Sequence, residues 1–221
     1  MAIIKFSKKH KVKEDRFVEW IFDLRTKTQA MKKPLLIGCI VVLFVAGISS
    51  LLYTIKSRTN EEANTLFGSA LMEYQQGKYS NAVTKLKQVM DNYSGSSSAP
   101  KAVFLYASIY YDLGNYMLSV EAYKKYIEKY DSPEFLNPAV YKGLGCAYMQ
   151  MKDYAGAISA FQTAIKKFPE DFQVPEIRYK TARCLVETGK PDAAKAELNL
   201  ILKDAPKSYY AKEAGLLLPS L

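Results

Sequence analysis

The sequence predicts an all-α protein: a single transmembrane helix followed by an α-solenoid of about four helix hairpins and a covering C-terminal helix. Three observations carry this. Pro34 to Ile55 is a run of 22 residues without a charge, long enough as a helix to cross a hydrocarbon core. Tyr79, Tyr116, Tyr154 and Pro191 recur at intervals of 37, 38 and 37 residues, and self-similarity at such a period is the signature of stacked repeats. Around each of these marks, small and large residues return at fixed helical offsets. The small first-helix position reads Ala70, Ala107, Gly145, Ala182, and the small second-helix position Ala82, Ser119, Ala157, Ala194. The large position after it reads Leu86, Tyr123, Phe161, Leu198.

Residues 1–33 form a basic leader with ten Lys/Arg against four acids. Lys5, Lys8, Lys9, Lys11 and Lys13 come first; Phe17, Trp20, Ile21 and Leu24 then fall on one face of a helix. Beside a hydrophobic span, this composition suits an amphipathic helix lying on an anionic membrane surface. The span, residues 34–55, holds thirteen Leu, Ile, Val or Phe, and Pro34 suits its first turn, where a missing N–H costs nothing. A cleaved signal has a short basic region and an apolar stretch of about 7–15 residues, so the longer leader and span favour an anchor. Leu36-Ile37-Gly38-Cys39 resembles a lipobox, but its apolar run follows the cysteine instead of preceding it. Only Lys56 and Arg58 follow the span closely; the positive-inside rule therefore places the amino end in the cytoplasm and the rest outside it.

Residues 57–62 read as a short polar link, and the repeats occupy residues 60–221. Pro169 and Pro206 close the third and fourth copies, and Pro133 is the shifted counterpart in the second. Ser94-Gly95-Ser96-Ser97-Ser98 makes the turn in the first. Tyr209, Tyr210, Ala214, Leu217 and Leu218 read as a final half-repeat covering the apolar end of the fourth copy.

Residues 141–169 show the pattern most fully. Tyr141, Leu144, Gly145, Tyr148, Tyr154, Ala157, Phe161, Ala164 and Pro169 match the offsets of the tetratricopeptide repeat, which this stretch resembles. The departures are Glu73 where the pattern has Tyr, Pro191 at the turn aromatic, and a period above the usual 34. In tetratricopeptide domains the first helices line a concave face. Carried over copy by copy, that face would hold Phe67, Leu71 and Tyr74; then Lys101, Phe104, Ser108 and Tyr111. Lys142, Cys146 and Met149 follow, and finally Glu176, Tyr179, Arg183 and Val186. Such an apolar, aromatic trough suits extended apolar segments. Recognition of chaperone carboxylate tails needs Lys and Asn in the first copy where this chain has Phe67 and Leu71.

The whole layout resembles the bacterial family of ancillary Sec-translocon subunits, with a short cytoplasmic segment, one anchor and a periplasmic tetratricopeptide-like domain. That resemblance implies an inner-membrane protein associated with the translocon, periplasmic chaperones or unfolded exported chains. Two further readings are a scaffold in an envelope or cell-division assembly, and an organelle import receptor facing the cytosol.

The net charge of +9 is concentrated in the leader, since residues 56–221 carry 21 basic against 18 acidic groups; no nucleic-acid partner is expected. The sole histidine is His10, and Cys39, Cys146 and Cys184 have no metal or redox spacing. Neither catalysis nor a cofactor is expected. Cys146 and Cys184 fall mid-helix, as small apolar residues do.

Overall fold

The computed structural model describes the backbone of residues 16–130 and 137–221. Lys5, Lys8, Lys9, Lys11, Lys13, His10 and Pro133 lie outside the described residues, as do the side chains of Phe17 and Leu24. Among the described residues the secondary structure is helical throughout, with no strand. The chain divides into two units, Met1–Ile55 and Lys56–Leu221.

Helix α1 runs Arg16–Gln75. In the first unit it presents Trp20, Ile21 and the apolar residues of 36–55 at its surface, with Leu43, Phe44 and Tyr53 each about two-thirds exposed or more. By length and composition, one helical stretch within Leu36–Gln75 can cross a membrane. Two expectations are corrected. Pro34 lies inside α1, not in its first turn, and residues 57–62 are helical instead of forming a link. Alternating polar and helix-forming residues from Lys56 to Glu62 contain nothing that ends a helix.

The second unit begins with the end of α1 and continues with seven helices of 14 residues each: α2 (Tyr79–Asn92), α3 (Ala99–Asp112), α4 (Tyr116–Lys129), α5 (Asn137–Gln150), α6 (Tyr154–Lys167), α7 (Val174–Glu187) and α8 (Pro191–Asp204). Helix α9 (Tyr209–Leu217) and one 3₁₀ turn finish the chain. From α2 onward each helix packs on the next, and Ala63 and Ala70 of α1 share one core cluster with Ala82 and Leu86 of α2, so the core is a row of layers. The recurring small residues Ala70, Ala82, Ala107, Ser119, Ala157, Ala182 and Ala194 are completely buried, as are Leu86, Phe161 and Leu198. Ser119 fits because its Oγ donates to the Ala107 carbonyl at 2.9 Å.

The hairpin turns share one backbone solution. Gly77, Gly114, Lys152 and Gly189 have φ between 60° and 74°. At the first turn, Gly77 N–H donates to Tyr74 O and Lys78 N–H to Glu73 O, the bond pair that closes a helix through a left-handed residue. The other three turns repeat that pair. Lys152 takes the left-handed conformation without glycine's freedom, at a cost of roughly 1–2 kcal/mol. In the second and third copies the second helix then starts on a side-chain cap: Asn115 Oδ1 accepts from Leu118 N–H, and Asp153 Oδ1 from Gly156 N–H at 2.9 Å.

The departures in the first and fourth copies have local explanations. Glu73, in the aromatic position, accepts from Lys85 Nζ at 3.2 Å, and that bond lowers its carboxyl pKa. Pro191 opens α8, where its absent N–H is not needed. The serine-rich turn is fastened to α1: Asn60 Oδ1 accepts from Ser97 N–H at 3.0 Å, Asn64 Oδ1 from Ser98 Oγ, and Glu62 from the Tyr93 hydroxyl at 3.2 Å. Residues expected in or beside a link therefore hold the first hairpin in place.

Helix α9 packs on α7 and α8. Ala211 and Ala214 are buried against Leu185, Leu198 and Ile201, with Tyr210, Leu217 and Leu218 partly buried beside them. Tyr209 differs from the expectation: it is 67% exposed, its ring meets Tyr210 edge-on at 5.3 Å between ring centres, and its hydroxyl is engaged by Glu213. It directly precedes the inward-facing Tyr210, and adjacent residues of a helix point about 100° apart.

Candidate functional site

The residues singled out on the first helices fall in four rows at one repeat spacing. All but Arg183 are neither core nor free surface. Arg183 is exposed, and Phe67, Leu71, Tyr74, Lys101, Phe104, Ser108, Tyr111, Lys142, Cys146, Met149 and Tyr179 are all half-buried. Their apolar flanks join the core: Phe67, Leu71, Tyr74, Phe104 and Tyr111 pack against the buried cluster of the first copies, and Cys146 and Met149 against that of the third.

Polar bonds run from copy to copy along this face. The Tyr74 hydroxyl donates to Asp112 Oδ2 at 2.8 Å, which pushes its pKa up to about 12. Gln150 Nε2 donates to the Tyr111 hydroxyl at 3.4 Å. Lys142 Nζ pairs with Glu176 Oε2 at 2.9 Å, and Lys180 Nζ lies 3.6 Å from Glu176 Oε1. Neighbouring first helices are thus tied together by these pairs. Ring contacts add rigidity: Tyr74 on Tyr79, Tyr111 on Tyr116 and Tyr179 on Tyr210, with ring centres 5.8, 5.5 and 5.8 Å apart.

Four partners of this face were not anticipated from sequence. Asp112 and Gln150 each follow an end-of-helix position by one residue, and their side chains reach back to the preceding copy's tyrosine. Tyr210 comes from the covering helix. Tyr123 belongs to the second helix of its hairpin, yet its hydroxyl lies 3.2 Å from Ser108 Oγ and its ring meets Phe104 edge-on at 5.9 Å. A tyrosine where other copies have Leu or Phe was the available signal, because a buried phenol seeks a polar partner. Gly143 on α5 leaves the space that the tip of that ring fills. Burial pushes the Tyr123 phenol up to about 12.

Cys146 is half-buried and Cys184 buried, both as free thiols. Burial raises both pKa values, that of Cys184 to about 11, which disfavours the reactive thiolate. Among the described residues no group of His, Cys, Asp and Glu is placed to hold a metal ion. A cavity of about 660 Å³ opens elsewhere, between Phe172, Val174, Arg178, Leu200 and Asp204; none of the face residues lines it.

Two family models described as tetratricopeptide repeat match the chain, at residues 67–132 and 148–214. Both stretches are tetratricopeptide repeats. The matched stretches take in the end of α1 with α2, α3 and α4, then the last residues of α5 with α6, α7, α8 and part of α9, and they omit the anchor-like segment and most of α5. Among solved structures, the repeat domain is similar to a MamA protein, with 18% identity and a TM-score of 0.57 over 66% of this chain and 74% of that one. It is also similar to a MamA protein from Desulfovibrio magneticus RS-1, with 17% identity, a TM-score of 0.54 and coverage of 66% and 78%. A tetratricopeptide repeat protein from Parabacteroides merdae ATCC 43184 gives 15% identity and a TM-score of 0.62 over 72% of this chain and 59% of that one. At such identities the likeness shows the fold alone. No curated protein matches the chain. Tetratricopeptide domains generally bind proteins, and nothing in the comparisons points to catalysis.

Proposed function

We propose that this protein is anchored in the bacterial inner membrane by residues 34–55 and uses its repeat domain, outside the cytoplasm, to hold extended apolar segments of exported chains near the translocon. The observation that carries the binding role is the half-exposed row Phe67, Leu71, Tyr74, Phe104, Tyr111 and Met149 on three successive first helices. Aromatic and thioether side chains braced from behind give a rigid, adaptable apolar surface without a large ordering cost.

The anchor rests on a helix able to span, and the orientation on ten basic residues ahead of it. The translocon association rests on the family resemblance of the whole layout. Reporter fusions after Leu221 should be active in exported form only; activity in the cytoplasm would overturn the orientation and the translocon role together.

Binding is tested by fluorescence titration of the full chain in detergent with a labelled apolar peptide. Truncating a central aromatic, Phe104→Ala or Tyr111→Ala, should weaken capture by about 1–3 kcal/mol, the usual range for a partly buried anchor residue. The helical signal should persist. Equal affinity for the wild type and both folded variants would move the binding site off this face and favour the scaffold role.

A further inference from the structure

The apolar row does not continue unchanged along the repeats. At the three central face positions of α1 and α3 the residues are Phe67, Leu71, Tyr74, Phe104, Ser108 and Tyr111, with no charge among them, and Lys101 stands one turn before Phe104 at the start of α3. On α5 and α7 the same positions hold Lys142, Cys146, Met149, Tyr179, Arg183 and Val186. Lys180 joins the two cations from the adjacent position on α7. One carboxylate answers two of the three: Glu176 holds Lys142 at 2.9 Å and Lys180 at 3.6 Å, while Arg183 is exposed, with Glu187 one helical turn further along α7. Asp112, the next acid along the face, is engaged by Tyr74.

From this charge distribution we infer that the occupant of the face is an amphipathic extended segment, apolar where it crosses α1 and α3 and carrying acidic side chains where it crosses α5 and α7. The inference rests on the binding role proposed above and adds the chemistry of the partner. The Lys142–Glu176 pair shows that a carboxylate is accommodated between α5 and α7. With Glu176 in place, the group still carries an excess of two positive charges. Those cations are distributed over two helices, which matches successive acidic side chains better than a single terminal carboxylate. The groups are partly solvated, so they set selectivity and salt dependence while the aromatics supply most of the affinity. At physiological salt the attraction reaches about 8 Å, which confines it to segments lying against these helices.

The test uses the full chain in nonionic detergent and three fluorescein-labelled peptides with amidated C-termini. They share an apolar Leu/Phe half and differ in the other half, which is Asp/Glu, Ser/Asn or Lys/Arg. The acidic peptide should bind roughly tenfold more tightly than the basic one at low salt, with the neutral one between, and raising the salt should narrow the gap. Combined K142Q, K180Q and R183Q substitutions leave Glu176 as the one charge of the group, so the acidic peptide should lose its advantage over the basic one and the order should invert. Because that variant loses a bridge between helices, Arg183→Glu alone serves as a second probe at an exposed side chain, and it should reverse part of the preference. Equal binding of all three peptides would overturn the acidic-partner inference and leave the apolar binding role standing. Persistence of the preference in the charge variants would overturn it too. Failure of every peptide to bind would overturn both.

Discussion

Replacing Gly145 with alanine is expected to destabilise the repeat domain by about 1–3 kcal/mol, although alanine is the better helix former by roughly 1 kcal/mol. Gly145 lies in the middle of α5, buried, and a Cβ there would overlap the ring of Phe161 on α6. Phe161 is itself completely buried, so its ring has no open side to move into, and α5 and α6 would have to separate. Chemical denaturation of fragment 56–221, which spans the compact second unit, measures the effect. Shrinking the opposing side chain should restore room. Phe161→Leu alone opens a cavity and is destabilising, but combined with Gly145→Ala the loss should be smaller than the sum of the two, since neighbouring residues in one packed contact do not behave additively. A Gly145→Ala variant as stable as the wild type, or strictly additive losses, would show that the α5–α6 approach is not set by this contact.

Removal of residues 207–221 is the other large effect. Without α9 the inner faces of α7 and α8 lose the side chains that cover Leu185, Leu198 and Ile201. Two or three partly buried side chains of the size of Tyr210, Leu217 and Leu218, at about 1.5–3 kcal/mol for complete burial, make a loss of several kcal/mol. In a domain of this size that lowers the melting temperature by roughly 10 °C. In a repeat array the loss stays local at first, so the trimmed domain should remain helical at room temperature while its last hairpin frays. Thermal unfolding followed by circular dichroism reads this, and an unchanged melting curve would remove the covering role of α9. Tyr209→Ala, by contrast, should be nearly neutral because that side chain is exposed.

These two variants separate what could be read from residues alone from what could not. The repeat class was legible because stacked hairpins impose the same steric demand on every copy. A small residue must recur where two helices approach, and a large one where a layer is filled, so the spacing of Gly145, Ala157 and Phe161 and their counterparts carries the fold. The apolar run of residues 34–55 was legible for a similar reason, since composition and length alone decide whether a helix can span. The face of the first helices is an expectation from register; the residues it names are half-buried except Arg183, which is exposed.

The side-chain partners along that face depended on the three-dimensional arrangement. Whether Tyr74 reaches Asp112, or Tyr123 crosses from a second helix to Ser108, depends on how far each hairpin is rotated against the next, and sequence spacing holds no record of that rotation. The same is true of Tyr209 and Tyr210: both are aromatic and adjacent, and only the seating of α9 on α7 and α8 turns one inward and leaves the other in solvent. Residues 57–62 were misjudged because polarity alone does not distinguish a link from the solvated face of a continuing helix. Periodicity fixes which residues share a layer; the rotation between layers, set by the fit of particular side chains such as Phe161 against Gly145, decides which of them meet.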